Sequence, residues 1–194
     1  MSNQYNKDFN SIKNVIETAF ICQAEPLSLK DIKSLFSESD NVDRNLILEI
    51  INSLKNDYKN KGIELVKVNS GYRIQSKIEQ KPYLQNLNTD KKINYSKGFI
   101  ETLAIIAYRQ PITKAEIEDI RGVSINSSSL KLIKEKEWIQ VLGHKDIPGR
   151  PILWGTTKTF LNDFNLKSLE DLPSINIDVA SENKGQIDLN LEEP

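Results

Sequence analysis

The chain has 194 residues, of which 38% are hydrophobic, and a formal net charge of −1 at pH 7. This length allows one or two domains, and no stretch approaches the roughly 20 apolar residues that a transmembrane helix requires. The start of the chain lacks the basic end and apolar core of a secretory signal, and the single Cys22 has no partner for an internal disulfide. We therefore expect a cytoplasmic protein without a membrane segment.

One segment occurs twice, 85 residues apart, in residues 15–32 and 100–117. Each copy has an apolar helical stretch that ends before a proline, because the residue preceding proline is disfavoured in a helix. Two residues after the proline, a hydroxyl residue followed by an acid three positions later predicts the capping box of a second helix. The two boxes are Ser28-x-x-Asp31 and Thr113-x-x-Glu116. Both copies therefore begin as a helix-turn-helix.

In the first copy, a third helix and a hairpin follow the repeat. Apolar residues from Leu46 to Tyr58 share one helical face, and Gly62 stands where a left-handed C-cap would end the helix. Apolar residues then alternate on both sides of residues 69–71, which is typical of a β-hairpin. Residues 82–87 could add one or two amphipathic helical turns.

The second copy runs in parallel. We predict a third helix over residues 127–136 and two strands, 138–142 and 151–155. Between the strands, residues 147–150 suit a type II turn in which Gly149 takes the positive φ. Three helices closed by a hairpin form a winged helix. The predicted fold class is therefore α+β, mainly α, with two tandem winged-helix domains.

Composition divides the chain into four segments. They are an N-terminal winged helix over residues 1–88, a polar linker over 89–96 with Ser96 capping the next helix, a C-terminal winged helix over 97–173 and an acidic tail over 174–194. Residues 166–194 carry two Lys and seven Asp or Glu, a net charge of −5. Low apolar density and the absence of a clear period favour disorder in the tail, although it could dock through Ile187, Leu189 and Leu191.

No residue pattern indicates catalysis, a cofactor or a metal. The only histidine, His144, lies near the second hairpin turn without an accompanying acid–base group, which favours an exposed wing residue. Cys22 aligns with Ala107 on an apolar helical face, and a buried apolar role is at least as good an interpretation as a reactive one. Nucleotide-binding and metal-binding motifs are absent from the sequence. We therefore predict that the protein is not an enzyme.

A helix-turn-helix also raises the hypothesis of DNA binding. The third helix of the second copy would present Asn126 to a base and Lys131 and Lys134 to phosphates. However, residues 96–165 carry ten Lys or Arg against eight Asp or Glu, a net charge of only +2. A DNA reader usually has a strongly basic face, so the pattern favours an ordinary solvated helix.

Three stretches resemble the segregation and condensation protein B family. They are residues 103–123 (LAIIAYRQPITKAEIEDIRGV), 148–157 (PGRPILWGTT) and 164–173 (FNLKSLEDLP). Residues 24–28 and 71–75 of the first domain also look like the family's corresponding segments. The resemblance covers roughly residues 12–173.

The resemblance implies a non-catalytic adaptor subunit of the bacterial SMC condensin complex, which acts in chromosome condensation and segregation during cell division. Members have two winged-helix domains, form a homodimer through the N-terminal one and bind the kleisin subunit, segregation and condensation protein A, with the C-terminal one. The ATPase is the SMC partner, reached through the kleisin. Weak, sequence-independent DNA contact and association with the nucleoid would be compatible with this role. The alternatives are a dimeric winged-helix transcriptional regulator and an unrecognised enzyme.

By resemblance, the candidate partner-binding residues are Tyr108, Arg109, Arg121, Arg150 and Trp154. We expect a kleisin segment in a groove beside the first helix and the wing of the second domain, with Tyr108 and Trp154 as its apolar anchors. Arg121 is better interpreted as an internal anchor on a carboxylate or carbonyl, while Arg150 remains open. Gly122 and Gly149 are expected at positive-φ positions.

The chain departs from the family pattern at two positions of the third helix. Glu137 stands where the family usually has a small residue, most often glycine, just before the strand. Lys134 stands where an apolar residue is common. These departures leave the end of the helix and its packing register open.

Overall fold

The computed structural model describes residues 8–84, 87 and 95–174. The chain forms two compact units, one from Met1–Lys92 with Phe164–Lys167 and the other from Ile93–Asp163 with Ser168–Pro194. The sequence did not indicate that residues 164–167 belong to the first unit. Most of the predicted linker and nearly all of the acidic tail lie outside the described residues.

The first unit contains the helices α1 (Phe9–Cys22), α2 (Leu29–Lys33), α3 (Arg44–Asp57) and α4 (Lys81–Leu84). The strands β1 (Ile63–Val68) and β2 (Gly71–Ser76) pair antiparallel, from Ile63 opposite Ser76 to Val68 opposite Gly71. Short 3-10 helices occupy Glu38–Asp40 and Ile78–Gln80. The predicted hairpin is confirmed. Of the predicted helical turns over residues 82–87, residues 82–84 lie in the short α4, and residues 85 and 86 lie outside the described residues.

The second unit contains α5 (Lys97–Arg109), α6 (Lys114–Arg121), α7 (Ser127–Glu135) and α8 (Lys158–Asp163), with a 3-10 helix at Leu169–Asp171. Its strands β3 (Ile112–Thr113), β4 (Ile139–His144) and β5 (Ile152–Thr156) form an antiparallel sheet in the order β3-β5-β4. Three helices and a β-hairpin in each unit confirm the predicted fold class of tandem winged helices.

Both capping boxes form as predicted. The Ser28 N–H donates to Asp31 Oδ2 at 2.9 Å, and the Asp31 N–H donates back to Ser28 Oγ at 3.2 Å. In the second unit, the Thr113 N–H donates to Glu116 Oε2 at 2.8 Å, with the reciprocal bond at 3.3 Å. Ser96 also caps α5, as expected. These bonds satisfy backbone donors that a helix start leaves free.

The residue that follows each repeat's proline joins a sheet, which the sequence analysis missed. Leu27 and Tyr72 exchange backbone hydrogen bonds of 2.8 and 2.9 Å in the first unit. At the aligned place in the second unit, Ile112 pairs with Trp154. A strand of one or two residues is too short to produce a period-two pattern. Tyr72 and Trp154 therefore hold equivalent positions in the two wings.

Apolar helix faces form the core of each unit. In the first unit, one stripe of α1, Ile32 of α2 and one face of α3 are buried; the residues with no exposed surface are Ile16, Ile32, Ile47, Ile50 and Leu54. In the second unit, α5 is buried on several sides, whereas α6 and α7 bury Ile117 and Ile133. The burial of Ile133 sets the register of α7 and leaves Lys134 exposed.

One sequence prediction in the first unit is wrong, and one open interpretation is decided against burial. Gly62 is not the C-cap of α3, because the helix already ends at Asp57 and its C-cap, Tyr58, keeps right-handed angles of φ −91° and ψ −3°. Cys22 is exposed instead of buried. The buried stripe of α1 consists of Ile12, Ile16 and Phe20, and Cys22 lies outside it.

Glu137, which stands where the family usually has a small residue, has an unusual backbone conformation. This residue adopts a φ of +56°, the left-handed region in which glycine is favoured. The Trp138 N–H donates to the Ile133 carbonyl at 3.2 Å, and the Glu137 N–H donates to the Lys134 carbonyl at 2.9 Å. These bonds resemble the Schellman arrangement that ends many helices. Helix α7 therefore ends with a left-handed residue of the kind usually occupied by glycine, but this residue is Glu137.

The predicted turn of the second wing is confirmed. Gly149 has a φ of +86°, and the Arg150 N–H donates to the Ile147 carbonyl at 2.9 Å. Gly122 also has a positive φ, +67°, at the C-cap of α6. Arg150 itself takes a φ of +39°, which the sequence did not indicate.

Candidate partner-binding site

A shallow groove of about 270 Å³ opens on the second unit, between the sheet and two helices. Trp154 of β5 and Leu130 of α7 provide its apolar lining, and the remaining lining residues are Lys114, Ser127, Lys131 and Lys134. Trp154 is only 7% exposed. Its ring is therefore mainly part of the core and presents one limited surface to the groove.

The sheet face that carries Trp154 stays apolar beside the groove. Ile112, Trp154 and Val141 are register partners on β3, β5 and β4, so their side chains share one face. Ile112 is 4% exposed, whereas Val141, on the edge strand, is 46% exposed. An apolar strip thus runs from the buried Trp154 towards the open edge of the sheet.

The rim of the groove is cationic. Lys114 and Lys131 each lie 3.6 Å from a carboxylate one turn along their own helices, Glu118 and Glu135. Exposed pairs of this kind contribute only a few tenths of a kcal/mol, so the lysines can exchange partners readily. No ion pair involves Lys134 within the described part of the chain. An apolar floor with a lysine rim suits an extended peptide that has apolar and acidic residues on opposite sides.

Tyr108 and Arg109 do not line this groove, contrary to the expected pairing of Tyr108 with Trp154. Tyr108 is half-buried near the end of α5, and its hydroxyl donates to the carbonyl of Pro173 at 2.6 Å. Burial raises the pKa of the Tyr108 hydroxyl, which keeps it protonated as a donor. Arg109, the last residue of α5, is exposed. Tyr108 therefore fixes the start of the C-terminal segment against α5.

Gln110, which the sequence analysis did not select, joins α5 to the wing. The Thr156 N–H donates to Gln110 Oε1 at 2.7 Å, and Gln110 Nε2 donates to Thr156 Oγ1 and to the Ala107 carbonyl, both at 3.0 Å. A Cβ added at Gly155 would lie 2.8 Å from Gln110 Oε1. The glutamine before the proline is therefore a structural link between the helix and β5.

Arg121 makes the internal contact that the sequence analysis favoured. Its Nε and Nη2 each lie 3.4 Å from Glu101 Oε2, and its side chain is 10% exposed. A Cβ added at Gly98 would come within 2.8 Å of Arg121 Nη2. Arg121 therefore ties α6 to α5. Arg150, by contrast, is exposed in the wing turn and has no described side-chain partner.

The remaining reactive residues are not assembled into a site. His144 is exposed on β4, opposite Ile152, which confirms its place on the wing. Among the described residues, no group of three His, Cys, Asp or Glu side chains could hold a metal ion. Within the same residues, no helix is both long and apolar enough to cross a membrane.

The helix proposed for DNA reading has its first polar side chains engaged. Asn126 is the N-cap of α7, and its Oδ1 accepts from the Ser128 N–H at 3.0 Å and from the Ser128 hydroxyl at 2.9 Å. Asn126 and Ser128 therefore act locally in starting the helix. This arrangement does not favour Asn126 as a base reader.

The end of α1 exposes apolar residues, whereas the aligned end of α5 is buried within its own unit. Ile21 of α1 is 66% exposed and Cys22 is exposed, whereas the aligned Ile106 and Ala107 of α5 are 0% and 5% exposed. The two helices are the corresponding parts of the two repeat copies, so the difference in exposure comes from what packs against each helix. Helix α1 therefore offers an apolar surface, which we call the α1 face, consisting of Ile21 and Cys22.

Two winged-helix units, each begun by a capped helix-turn-helix, define the chain as a tandem winged-helix protein. The model of the segregation and condensation complex subunit ScpB family matches residues 14–175. The chain belongs to this family.

Curated relatives are similar in sequence to most of the chain. Segregation and condensation protein B homolog of Coxiella burnetii is 47% identical over 84% of this chain and 78% of its own length. Segregation and condensation protein B of Clostridium perfringens is 38% identical over 87% of this chain and 86% of its own length.

A solved structure described as the dimer of the ScpB N-terminal domain complexed with ScpA peptide is also similar. It is 25% identical, covers 43% of this chain and 91% of its own, and has a TM-score of 0.35. The family assignment rests on the sequence matches.

Proposed function

We propose that the protein is a non-catalytic adaptor in an SMC–kleisin condensin complex of the cytoplasm and that its second unit binds the kleisin. The observation that carries this proposal is the groove formed by Leu130, Trp154 and the three rim lysines in a protein of the segregation and condensation subunit family. Within it, a kleisin segment would place apolar side chains on Leu130 and Trp154 and carboxylates near the lysines. The proposed site lies beside α6, α7 and the wing, in place of the expected groove beside the first helix and the wing.

The groove is small, so the proposed complex needs a few well-placed contacts and not a large area. Interfaces usually depend on a few apolar anchors in partly formed pockets, surrounded by contacts that exclude water. Leu130 is half-buried and can be shortened without opening the centre of the core. Trp154 is a poor test residue, because replacing a side chain only 7% exposed would first destabilise the wing.

Calorimetric titration with the central segment of the same organism's kleisin tests this placement. We expect Leu130→Ala, and the pair Lys131→Glu with Lys134→Glu, each to weaken binding about tenfold, which is about 1.4 kcal/mol. The matched controls are Val123→Ala and Lys158→Glu, which change exposed residues that do not line the groove. Equal losses in the groove variants and the controls, or no loss in any of them, would contradict the proposed site.

The first unit is proposed to form the homodimer through the α1 face. Its support is the 66% exposure of Ile21, at a position where the aligned residue of the second unit is fully buried. We expect Ile21→Ser to shift the protein towards monomer in sedimentation equilibrium. Leu35→Ser, which changes another exposed apolar residue of the same unit, is the control and is expected to leave the association unchanged.

A DNA-binding regulator is the less favoured function, because Asn126 and Ser128 are engaged in capping α7. A salt titration separates the two functions. Steep salt dependence with strong preference for one duplex sequence would support a regulator, whereas weak binding to any sequence is compatible with the adaptor.

A further inference from the structure

We propose that the groove beside Trp154 is also the binding site for the chain's own acidic tail, through the segment Ile187-Asp-Leu-Asn-Leu-Glu-Glu193. The occupant is an extended strand whose apolar side chains lie on the groove floor and whose carboxylates approach the lysine rim.

The composition of the segment matches the groove. Ile187, Leu189 and Leu191 alternate with polar residues, so in an extended conformation all three lie on one side. The tail as a whole has no period, but residues 187–191 alternate between apolar and polar side chains. Successive side chains on that side are about 6.5–7 Å apart, and the apolar strip formed by Trp154 and the exposed Val141 offers them a surface along the sheet.

The charges of the two partners are opposite. Residues 175–194 contain five Asp or Glu and one Lys, a net charge of −4. The rim lysines Lys114 and Lys131 are held only by exposed pairs to Glu118 and Glu135, and those two carboxylates reduce the local positive charge. Lys134 makes no ion pair in the described residues. A tail carboxylate therefore gains most from Lys134 and can compete for the other two.

The tail starts on the unit that carries the groove. The Tyr108 hydroxyl of α5 holds the carbonyl of Pro173, immediately before the tail. The 13 residue-to-residue steps from Ser174 to Ile187 can span about 45 Å when extended. A unit of about 75 residues is only about 30 Å across. The segment can therefore reach any part of this unit's surface.

Because the tail is part of the same chain as the groove, a weak contact is enough to keep the groove occupied. A short flexible tether gives an effective concentration on the order of mM. With a dissociation constant of about 0.1 mM for the separate segment, the groove would be occupied in roughly nine molecules of ten. If the groove also binds the kleisin, which rests on the proposed function, the tail is a built-in competitor that lowers partner affinity about tenfold.

Paramagnetic relaxation in the full chain tests the tail contact without any partner. A nitroxide is placed at Gln186→Cys in a Cys22→Ala background, which removes the only other thiol and keeps the α1 face apolar. The labelled ¹⁵N chains are diluted into excess unlabelled, unenriched chains, so that only intramolecular broadening is recorded. We expect the amides of residues 127–134 and 139–142 to broaden several-fold more than those of α8.

Two pairs of variants decide the result. Broadening should disappear with Leu189→Ser/Leu191→Ser and with Lys131→Glu/Lys134→Glu. It should persist with the matched controls Ile175→Ser/Ile177→Ser and Lys158→Glu. Absence of broadening in the groove, or broadening that survives the loss of Leu189 and Leu191, would overturn the proposal.

Kleisin titration of the Leu189→Ser/Leu191→Ser chain tests the competition. About tenfold tighter binding than in the wild-type chain is expected, and unchanged affinity would reject a shared groove. Failure of every chain to bind the kleisin would instead reject the proposed function. The relaxation result on the tail is independent of that outcome.

Discussion

The Lys145 ammonium lies 2.5 Å from Oε1 of Glu116 and so joins the residue after β4 to the first turn of α6. The other oxygen of the same carboxylate accepts the Thr113 N–H and the Thr113 hydroxyl, both at 2.8 Å. One glutamate therefore completes the capping box and holds the wing. The sequence predicted the capping box between Thr113 and Glu116. It could not predict the contact with Lys145, which forms only when the wing folds over α6.

This double role predicts an acid-sensitive contribution to stability. The Lys145 contact and then the Thr113 hydrogen bonds lower the pKa of Glu116 from 4.5 to about 2. A carboxyl whose pKa is lowered on folding stabilises the protein above its unfolded pKa, and this contribution is lost as the pH falls from about 4.5 to 2. We expect Glu116→Gln to reduce the free energy of unfolding at pH 7 and to flatten its decline over that range, measured by denaturant unfolding.

The control for Glu116 is Glu135→Gln, which breaks an exposed pair with Lys131. Its cost at pH 7 is expected to be about 0.5 kcal/mol or less. A Glu116→Gln variant with the same acid dependence as wild type would contradict the assigned role.

Gly71 is required by a close approach of two backbones. A Cβ at this position would lie 2.2 Å from the Leu27 carbonyl oxygen, at a φ of +154°. Since the obstacle is backbone, we expect Gly71→Ala to cost about 2 kcal/mol or more and to break the Leu27–Tyr72 bridge. Gly143→Ala is a matched control, because Gly143 has a φ of +157° and its Cβ would meet nothing within 4 Å. Similar losses in thermal unfolding of the two variants would contradict the clash.

Glu137 offers a stabilising substitution. It is exposed and holds a φ of +56°, which costs a non-glycine residue about 1 kcal/mol. We therefore expect Glu137→Gly to raise the free energy of unfolding by about that amount. The control Lys131→Gly places glycine at an exposed position inside α7, where it should destabilise by about 1 kcal/mol. A destabilised Glu137→Gly variant would show that the left-handed conformation is not a strain in this chain.

Tyr58 carries a buried polar contact in the first unit. It is 2% exposed, and its hydroxyl donates to Glu17 Oε1 at 2.6 Å. Burial, together with the neighbouring Glu17 carboxylate, raises the pKa of the Tyr58 hydroxyl, so it remains a donor at neutral pH. We expect Tyr58→Phe to lower the free energy of unfolding by about 1 kcal/mol. Tyr83→Phe, at a ring 76% exposed, should have no measurable effect in the same denaturant titration.

The local signals of the sequence were sufficient for most of the fold. The internal repeat, the capping pairs such as Thr113 with Glu116 and the proline–glycine turn of the second wing each act within a few residues. Each therefore predicts its element without knowledge of the rest of the chain. The prediction of Gly62 as a C-cap was wrong because a glycine near a helix end fits several turn geometries, and α3 ends five residues earlier, at Asp57.

The candidate site was less predictable, because its residues meet only after folding. Trp154 and Leu130 belong to separate elements, and neither spacing nor periodicity reveals that they line one groove. The sequence offered an internal contact as one of two roles for Arg121, the other being partner binding, and could not identify Glu101 as the carboxylate. The sequence left the burial of Cys22 open, because aligning the two repeats shows which helix face a residue lies on but not which neighbours cover that face.

Residues 164–167 complete the wing of the first unit. The Asn69 N–H donates to the Leu166 carbonyl at 2.9 Å, and Arg73 Nη2 donates to Asn165 Oδ1 at the same distance. No single cut of the chain can therefore yield two complete units. A fragment ending before residue 93 would lose these partners, and its stability would understate that of the same wing in the whole protein. Any insertion or deletion in the second unit must also leave residues 164–167 able to return to the first, a constraint that side-by-side tandem domains do not have.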